Sequence, residues 1–300
     1  MPATSHADTR VGPTASALHT PAQIAERNRQ RLSTLSRECA AGARMRTHNV
    51  SVAWQRRILV VESHKLLYCS VPKVGNTNWK RVLLSLLTEA APLTISFHTA
   101  HHSADRLRTL DSYPAATRRA MLRSFYKFVF VREPYERFLS AFRNKVLGIG
   151  GADEAYARLV GGAIWRARGN VTQTTIWSEL RRHPPTFAEF IRYVVARWKR
   201  RGSLDKHWTP VADLCSVCDV GYDFVGKLET VDEDASYLLR ALGVGDRVAY
   251  PSKVTSGYKV NESTTKAMRS EYGRLTTIER DRVRELFARD FTLFGYDPTF

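Results

Sequence analysis

Two segments of this chain repeat one grammar: a short β-rich apolar run stops at a proline-containing polar loop and gives way to a helical stripe. No other feature restricts the fold as much. In the first unit, Leu66 to Val71 (LLYCSV) ends at Pro72 and is followed by Lys73-Val74-Gly75-Asn76-Thr77-Asn78. Trp79, Val82, Leu83, Leu86 and Leu87 then fall on one face of a helix. In the second, Lys127 to Val131 (KFVFV) ends in Arg132-Glu133-Pro134. Tyr135, Phe138, Leu139, Phe142 and Val146 keep helical spacing after it, with Pro134 well placed at a helix start. Two strand-loop-helix units predict a central parallel sheet flanked by helices, an α/β fold. An earlier run, Arg56 to Glu62 (RRILVVE), meets Leu66 to Val71 across a polar Ser63-His64-Lys65 turn and predicts a hairpin leading into the first strand.

The rest of the chain reads as one domain with a leader. From Met1 to about Arg31 the sequence is rich in Ala, Thr, Ser, Pro and His with almost no aromatic residues. Residues 1–36 are therefore expected to be a disordered leader or stalk, and residues 37–300 the folded domain. Pro92 to Asp111 reads as loop. Helices are predicted over Ala115 to Phe125, Phe187 to Trp198, Ala235 to Leu242 and Thr277 to Phe291, and a strand over Tyr222 to Val225.

Charge narrows the partners. The 46 Lys+Arg against 29 Asp+Glu give a formal charge of +17, and most of the basic residues are Arg, the side chain suited to bidentate contact with phosphate, sulfate or carboxylate. A polyanion is the expected partner, although charge alone steers without specifying which. No run approaches the ~18 apolar residues of a membrane-spanning helix, so the chain as it stands reads as soluble, and its start lacks the apolar core of a secretory signal. Cys215-x-x-Cys218 invites a zinc reading, but Cys39 and Cys69 form no second short-spaced pair, so disulfides in an oxidising lumen are the preferred role. Sequons at Asn49, Asn170 and Asn261 would be glycosylation acceptors there.

Chemistry points to the two loops. The loop after Val71 lies where a parallel sheet places ligands, and its backbone N–H groups, Lys73 and the Thr77 hydroxyl can all donate to one phosphate-like group. It is no Walker A loop, because the lysine comes first. The bland alternative is a surface turn with a solvated lysine. Arg132 ends the second strand and Ser140 lies two turns into the next helix, with Arg137 three residues before it. A guanidinium and a hydroxyl there could hold a second anion, so a ligand with two separated anionic ends is implied.

The residues from Val71 to Arg81 (VPKVGNTNWKR) resemble the 5′-phosphosulfate loop of Golgi carbohydrate sulfotransferases, and Lys127 to Lys145 (KFVFVREPYERFLSAFRNK) resembles their 3′-phosphate motif. The likeness is to the subfamily with the HNK-1, chondroitin 4-O-, dermatan 4-O- and N-acetylgalactosamine 4-O-sulfotransferases. It continues through Asp205 to Leu239 and Asp290 to Asp297, covering roughly Arg37 to Asp297. It implies a P-loop-like sulfotransferase fold and 3′-phosphoadenosine-5′-phosphosulfate as co-substrate, with no metal. The acceptor implied is a glycan, an acidic polysaccharide or one containing N-acetylgalactosamine, rather than nucleic acid. The implied location is the Golgi lumen, although family members carry an amino-terminal signal anchor that this sequence does not display.

By position, Lys73, Val74, Gly75, Asn76, Thr77 and Asn78 are expected around the 5′-phosphosulfate, and Arg132 and Ser140 at the 3′-phosphate. Asn76 is a departure, since relatives usually carry Cys there. His101, in Ala100-His101-His102-Ser103, matches a family histidine and is expected to be the base that takes the acceptor proton. His207 is the second candidate, equally able to orient substrate. Lys253 to Lys259 (KVTSGYK) either closes over the nucleotide or is a surface loop. The rivals from other classes are a non-catalytic polyanion-binding module and a nucleotide-dependent kinase of related fold.

Overall fold

The computed structural model describes residues 19–42, 52–103, 105–149, 156–169, 180, 182–202, 204–252 and 264–300. The leader before residue 19, the three sequons and Lys253 to Lys259 lie outside the described residues. Four strands, β1 (Ile58–Val61), β2 (Leu66–Cys69), β3 (Tyr126–Val131) and β4 (Phe224–Lys227), form one sheet in that order. β2, β3 and β4 are parallel, with Leu66 opposite Tyr126 and Phe128 opposite Phe224. The expected hairpin supplies β1 as an antiparallel edge, Ile58 facing Cys69. Both faces of the strands are buried, which is why they read as unbroken apolar runs. The outer edge of β1 is covered: Val60 N–H donates to the Arg108 carbonyl at 2.9 Å.

The helices used below are α1 (Pro21–Gly42), α2 (Asn76–Thr88), α3 (Phe97–His101), α4 (Ala115–Ser124), α5 (Pro134–Ala141), α6 (Phe187–Arg201), α7 (Val231–Ala241), α8 (Thr277–Leu286) and α9 (Ala288–Phe294). Two buried clusters hold them. One lies on the sheet around Trp79, Phe128, Phe130 and Phe224; the other is an aromatic cluster beneath α5 that includes Phe138, Phe142, Phe190 and Phe287.

α1 corrects the leader expected over residues 1–36. From Pro21 onward the chain is helical and docks on β4, α7 and α9. Its docking face is largely polar, which hides the periodicity. Ile24 and Leu35 are buried, but between them Asn28 accepts from Val225 N–H at 3.0 Å, filling the place of a further strand. Arg27 and Arg31 reach the fully buried Asp234 at 2.6 and 2.7 Å. The Cys39–Cys218 disulfide fastens the helix end.

Three boundaries also differ from the sequence reading. The loop expected over Pro92 to Asp111 contains α3, whose start is capped by Ser96 Oγ accepting from Thr99 N–H at 3.0 Å. The last long helix breaks at Phe287 into α8 and α9. β4 begins two residues later than expected and runs through Gly226, where any Cβ would meet the Phe130 ring at 2.2 Å.

Candidate active site

Between β2 and α2 the chain turns through two left-handed residues, Lys73 (φ 72°) and Gly75 (φ 79°). A side chain at Gly75 would put Cβ 2.2 Å from Tyr250 Oη, so glycine is required there twice over. Lys73 carries the conformation with a side chain, at a cost of about 1–2 kcal/mol. Val74, fully buried, pins the loop between them. Gly75 also serves as the N-cap of α2 and offers no side-chain acceptor. The first N–H groups of α2 therefore meet the loop without an internal partner from the cap, the arrangement that binds anions at a helix start.

The loop side chains divide into two groups. Asn76 Oδ1 accepts from Tyr68 Oη (3.1 Å) and Ser70 Oγ (3.0 Å), so that oxygen is spent on the strand behind the loop. Asn78 Nδ2 donates to the Pro251 carbonyl at 3.0 Å, tying the loop to the chain just before residue 253. Of these two positions the backbone N–H groups remain the natural donors to a ligand. Lys73 is different. Its Nζ donates to Asn144 Oδ1 at 3.1 Å, and burial, then the charges of Arg132 and Lys145, push its pKa down to about 7.

The second expected anion site is the start of α5. Glu133 caps the helix by accepting from Tyr135 and Glu136 N–H. Arg132 donates through Nε and Nη2 to Glu136 at 3.3 and 3.1 Å, and through Nη1 to the Lys73 carbonyl at 3.3 Å, which joins the two loops directly. Ser140 is one turn beyond Glu136 on the same side of α5, and Arg132, just before the helix, reaches that side through its bonds to Glu136. Arg137 does not join them. It is 1% exposed and donates to the carbonyls of Pro72 (3.2 Å), Thr209 (2.9 Å) and Lys206 (3.3 Å). Helical spacing places it near Ser140, but its guanidinium is a strut between backbones and not an anion ligand.

Both histidines stand at the edge of this group. His101, the exposed last residue of α3, lies where Lys80 Nζ reaches its carbonyl at 3.5 Å. Partial burial and the charges of Lys145, Lys80, His102 and Lys206 lower its pKa. His207 is buried, and its Nδ1 sits 2.7 Å from Asp205 Oδ1. Burial lowers its pKa too, Asp205 partly offsets this, and Lys145 and Lys206 add to it. Although burial alone would raise it, Asp205 is held down at about 2 by bonds from His207 and the Tyr156 hydroxyl.

Lys145 is the residue that sequence reasoning missed. It is buried, its Nζ lies 5.0 Å from the centre of the Tyr156 ring, and its charge acts on Lys73, His101 and His207 alike. A π turn, Phe142–Val146, delivers both it and Asn144. The site as built gathers Lys73, Arg132 and Lys145 between two loops, with an imidazole at its rim. Among the described residues no group of three or more His, Cys, Asp or Glu could hold a metal ion. The donor set fits a nucleotide with phosphate-like groups at two ends: an uncapped helix start with Lys73 for one, Arg132 with Ser140 for the other.

Comparison with known proteins agrees with that chemistry. Residues 56–297 match the model of the sulfotransferase family. Carbohydrate sulfotransferase 11 of Rattus norvegicus is 34% identical over 245 residues, covering 80% of this chain and 67% of the relative. Carbohydrate sulfotransferase 14 of Danio rerio is 38% identical over 246 residues, 80% of this chain and 62% of the relative. Carbohydrate sulfotransferase 10 of Xenopus laevis is 30% identical over 298 residues, 96% of this chain and 81% of the relative. No solved structure gives a significant match. The chain belongs to the sulfotransferase family, within its carbohydrate sulfotransferases.

Proposed function

We propose that this chain transfers a sulfuryl group from 3′-phosphoadenosine-5′-phosphosulfate to a hydroxyl of a glycan, with N-acetylgalactosamine O-4 in an acidic polysaccharide or related chain as the preferred acceptor. The observation that carries the reading is the concentration of Lys73, Arg132 and Lys145 around the open start of α2. In an in-line displacement the acceptor oxygen bonds to sulfur as the sulfur–oxygen bond to the nucleotide phosphate breaks. The electron pair leaves with adenosine 3′,5′-diphosphate. Lys73 meets the charge growing on the bridging oxygen, the α2 N–H groups of Asn76, Thr77 and Asn78 add fixed donors, and Arg132 with Ser140 holds the 3′-phosphate. His101 takes the hydroxyl proton; its lowered pKa keeps the imidazole neutral and able to accept near pH 7.

The two disulfides, Cys39–Cys218 and Cys69–Cys215, support an oxidising compartment, and the family likeness favours the Golgi lumen. Among the described residues no helix is long and apolar enough to cross a membrane. The test is transfer of radiolabelled sulfate from the donor nucleotide to desulfated chondroitin, dermatan and heparan and to simple N-acetylgalactosaminides. Sulfate on chondroitin or dermatan, mapped to O-4, is the expected product. Binding of those polymers without transfer would leave only a polyanion-binding module, and ATP bound in preference to adenosine 3′,5′-diphosphate would favour a kinase.

A further inference from the structure

A small cavity of about 180 Å³ adjoins the Asp205–His207 pair, lined by Tyr156, Leu159, Tyr193, Arg197, Asp205 and Trp208 among others. It is smaller than the ~300–1,000 Å³ of sites for drug-sized ligands, so it has room for one monosaccharide unit and not for an oligosaccharide. Three of its walls are aromatic, the surface against which the C–H face of a sugar ring packs, and Leu159, 67% exposed, adds an apolar lip. Trp208 is buried, and its indole N–H has no acceptor among the described residues.

The charges in the cavity are unequal. Asp205 is committed, receiving His207 Nδ1, the His207 N–H and the Tyr156 hydroxyl. Arg197, partly buried on α6, has neither hydrogen-bond acceptor nor counter-ion among the described residues, whereas Arg168 is paired with Glu189 and Arg192 with Glu279. A partly desolvated guanidinium without a partner accommodates a two-oxygen anion in its fork. The cavity adjoins the His207 and Lys145 side of the proposed site. Asp205 is shared with His207, and the Tyr156 ring lies under Lys145, which faces Lys73.

We infer that this cavity is an acceptor subsite that holds a uronic acid unit next to the sugar being sulfated, with Arg197 reading its carboxylate and Tyr156, Tyr193 and Trp208 packing its ring. The inference rests on the glycan sulfotransferase reading and specifies which acceptor that site takes. A subsite of this kind acts on acceptor binding and leaves the nucleotide untouched, so Arg197 is a specificity residue.

The test compares fully desulfated chondroitin with the same polymer after carboxyl reduction, each titrated into the protein saturated with adenosine 3′,5′-diphosphate. Wild type should bind the carboxylated polymer about ten- to a hundredfold more tightly. Arg197→Gln should erase that preference, Arg197→Lys should recover part of it, and both variants should bind the nucleotide as wild type does. Arg119→Gln, an exposed change on α4, should keep the preference and so exclude a general loss of positive charge. The inference is overturned if wild type binds both polymers alike, or if Arg197→Gln weakens both equally. Sulfate transfer separates the two readings: a wild type that keeps the preference but transfers sulfate to no glycan sinks the enzymatic reading and leaves the subsite. Transfer without any carboxylate preference does the reverse.

Discussion

If Lys73 lines the proposed nucleotide site, binding there is sensitive to pH in a direction set by its surroundings. In the free protein its pKa lies at about 7, lowered first by burial and then by Arg132 and Lys145. A dianionic phosphate beside Nζ favours the charged form, so binding must drive a proton onto it. At pH 8 roughly nine-tenths of Lys73 is neutral before binding and nearly all is charged after it, an uptake of about 0.9 proton. At pH 6 the uptake falls to about 0.1. Affinity for adenosine 3′,5′-diphosphate should therefore fall about tenfold per pH unit above 7, until the pKa of the complex is reached.

Titration calorimetry in two buffers of different ionisation enthalpy reads this proton directly. The nucleotide phosphates, with second pKa near ~6, are ionised at pH 8 and add little. His101 and His207 lie below their ordinary values and are neutral there. Glu133, pushed up to about 7 by burial and, against its two N–H bonds, by Glu136 and Glu229, is mostly ionised at pH 8 and is common to any variant. The difference between wild type and Lys73→Gln thus isolates Lys73. An uptake at pH 8 that is the same in both proteins would refute the placement of this ammonium beside the bound anion.

Arg132→Ala should weaken adenosine 3′,5′-diphosphate about ten- to a hundredfold while leaving adenosine 5′-monophosphate almost unchanged, and equal losses would move the 3′-phosphate elsewhere. Gly75→Ala, forcing an L residue to φ 79° with Cβ 2.2 Å from Tyr250 Oη, should destabilise the fold by at least about 1–2 kcal/mol in urea denaturation and abolish nucleotide binding; a wild-type midpoint would contradict the loop geometry. His101→Ala should lower sulfate transfer by about 10² to 10⁴ with nucleotide binding intact, and the acid limb of the wild-type rate should fall below the ordinary ~6.5 of histidine, because imidazole must be neutral to accept the proton. If His207→Ala removed that limb instead, the base would be His207, oriented by Asp205.

The parts of this fold visible in the sequence are those whose pattern carries their environment. β2 and β3 are buried on both faces, and the loops after them carry their own backbone chemistry. α1 is invisible because Asn28, Arg27 and Arg31 do at its docking face what leucines would normally do. Arg137 shows a different limit: spacing gives its face of α5, but nothing in the sequence distinguishes a guanidinium that binds a ligand from one that binds three carbonyls. Asn144 and Lys145 are hidden by register. The apolar stripe reads as one helix to Val146, yet after Phe142 the chain takes a π turn, with Leu147 N–H donating to Phe142 O at 3.2 Å. One widened turn rotates the residues beyond Phe142 and sets Asn144 and Lys145 against Lys73.

The two halves of the proposed site come from distant parts of the chain, and their spacing is held by groups that touch no substrate. The nucleotide half is the Lys73 loop; the half facing the acceptor includes Asp205 to Thr209. Arg137 joins them through Pro72 on one side and Lys206 and Thr209 on the other. The Cys69–Cys215 disulfide joins the end of β2 to the chain six residues past Thr209. Displacement at sulfur needs donor and acceptor in line, and a misplacement of about 1 Å can cost a hundredfold in rate. A buried guanidinium spanning both backbones sets that separation through the main chain, so the alignment does not depend on the side chains that must move protons or charge. That division gives Arg137, in the middle of the proposed 3′-phosphate motif, the part of a strut between two backbones.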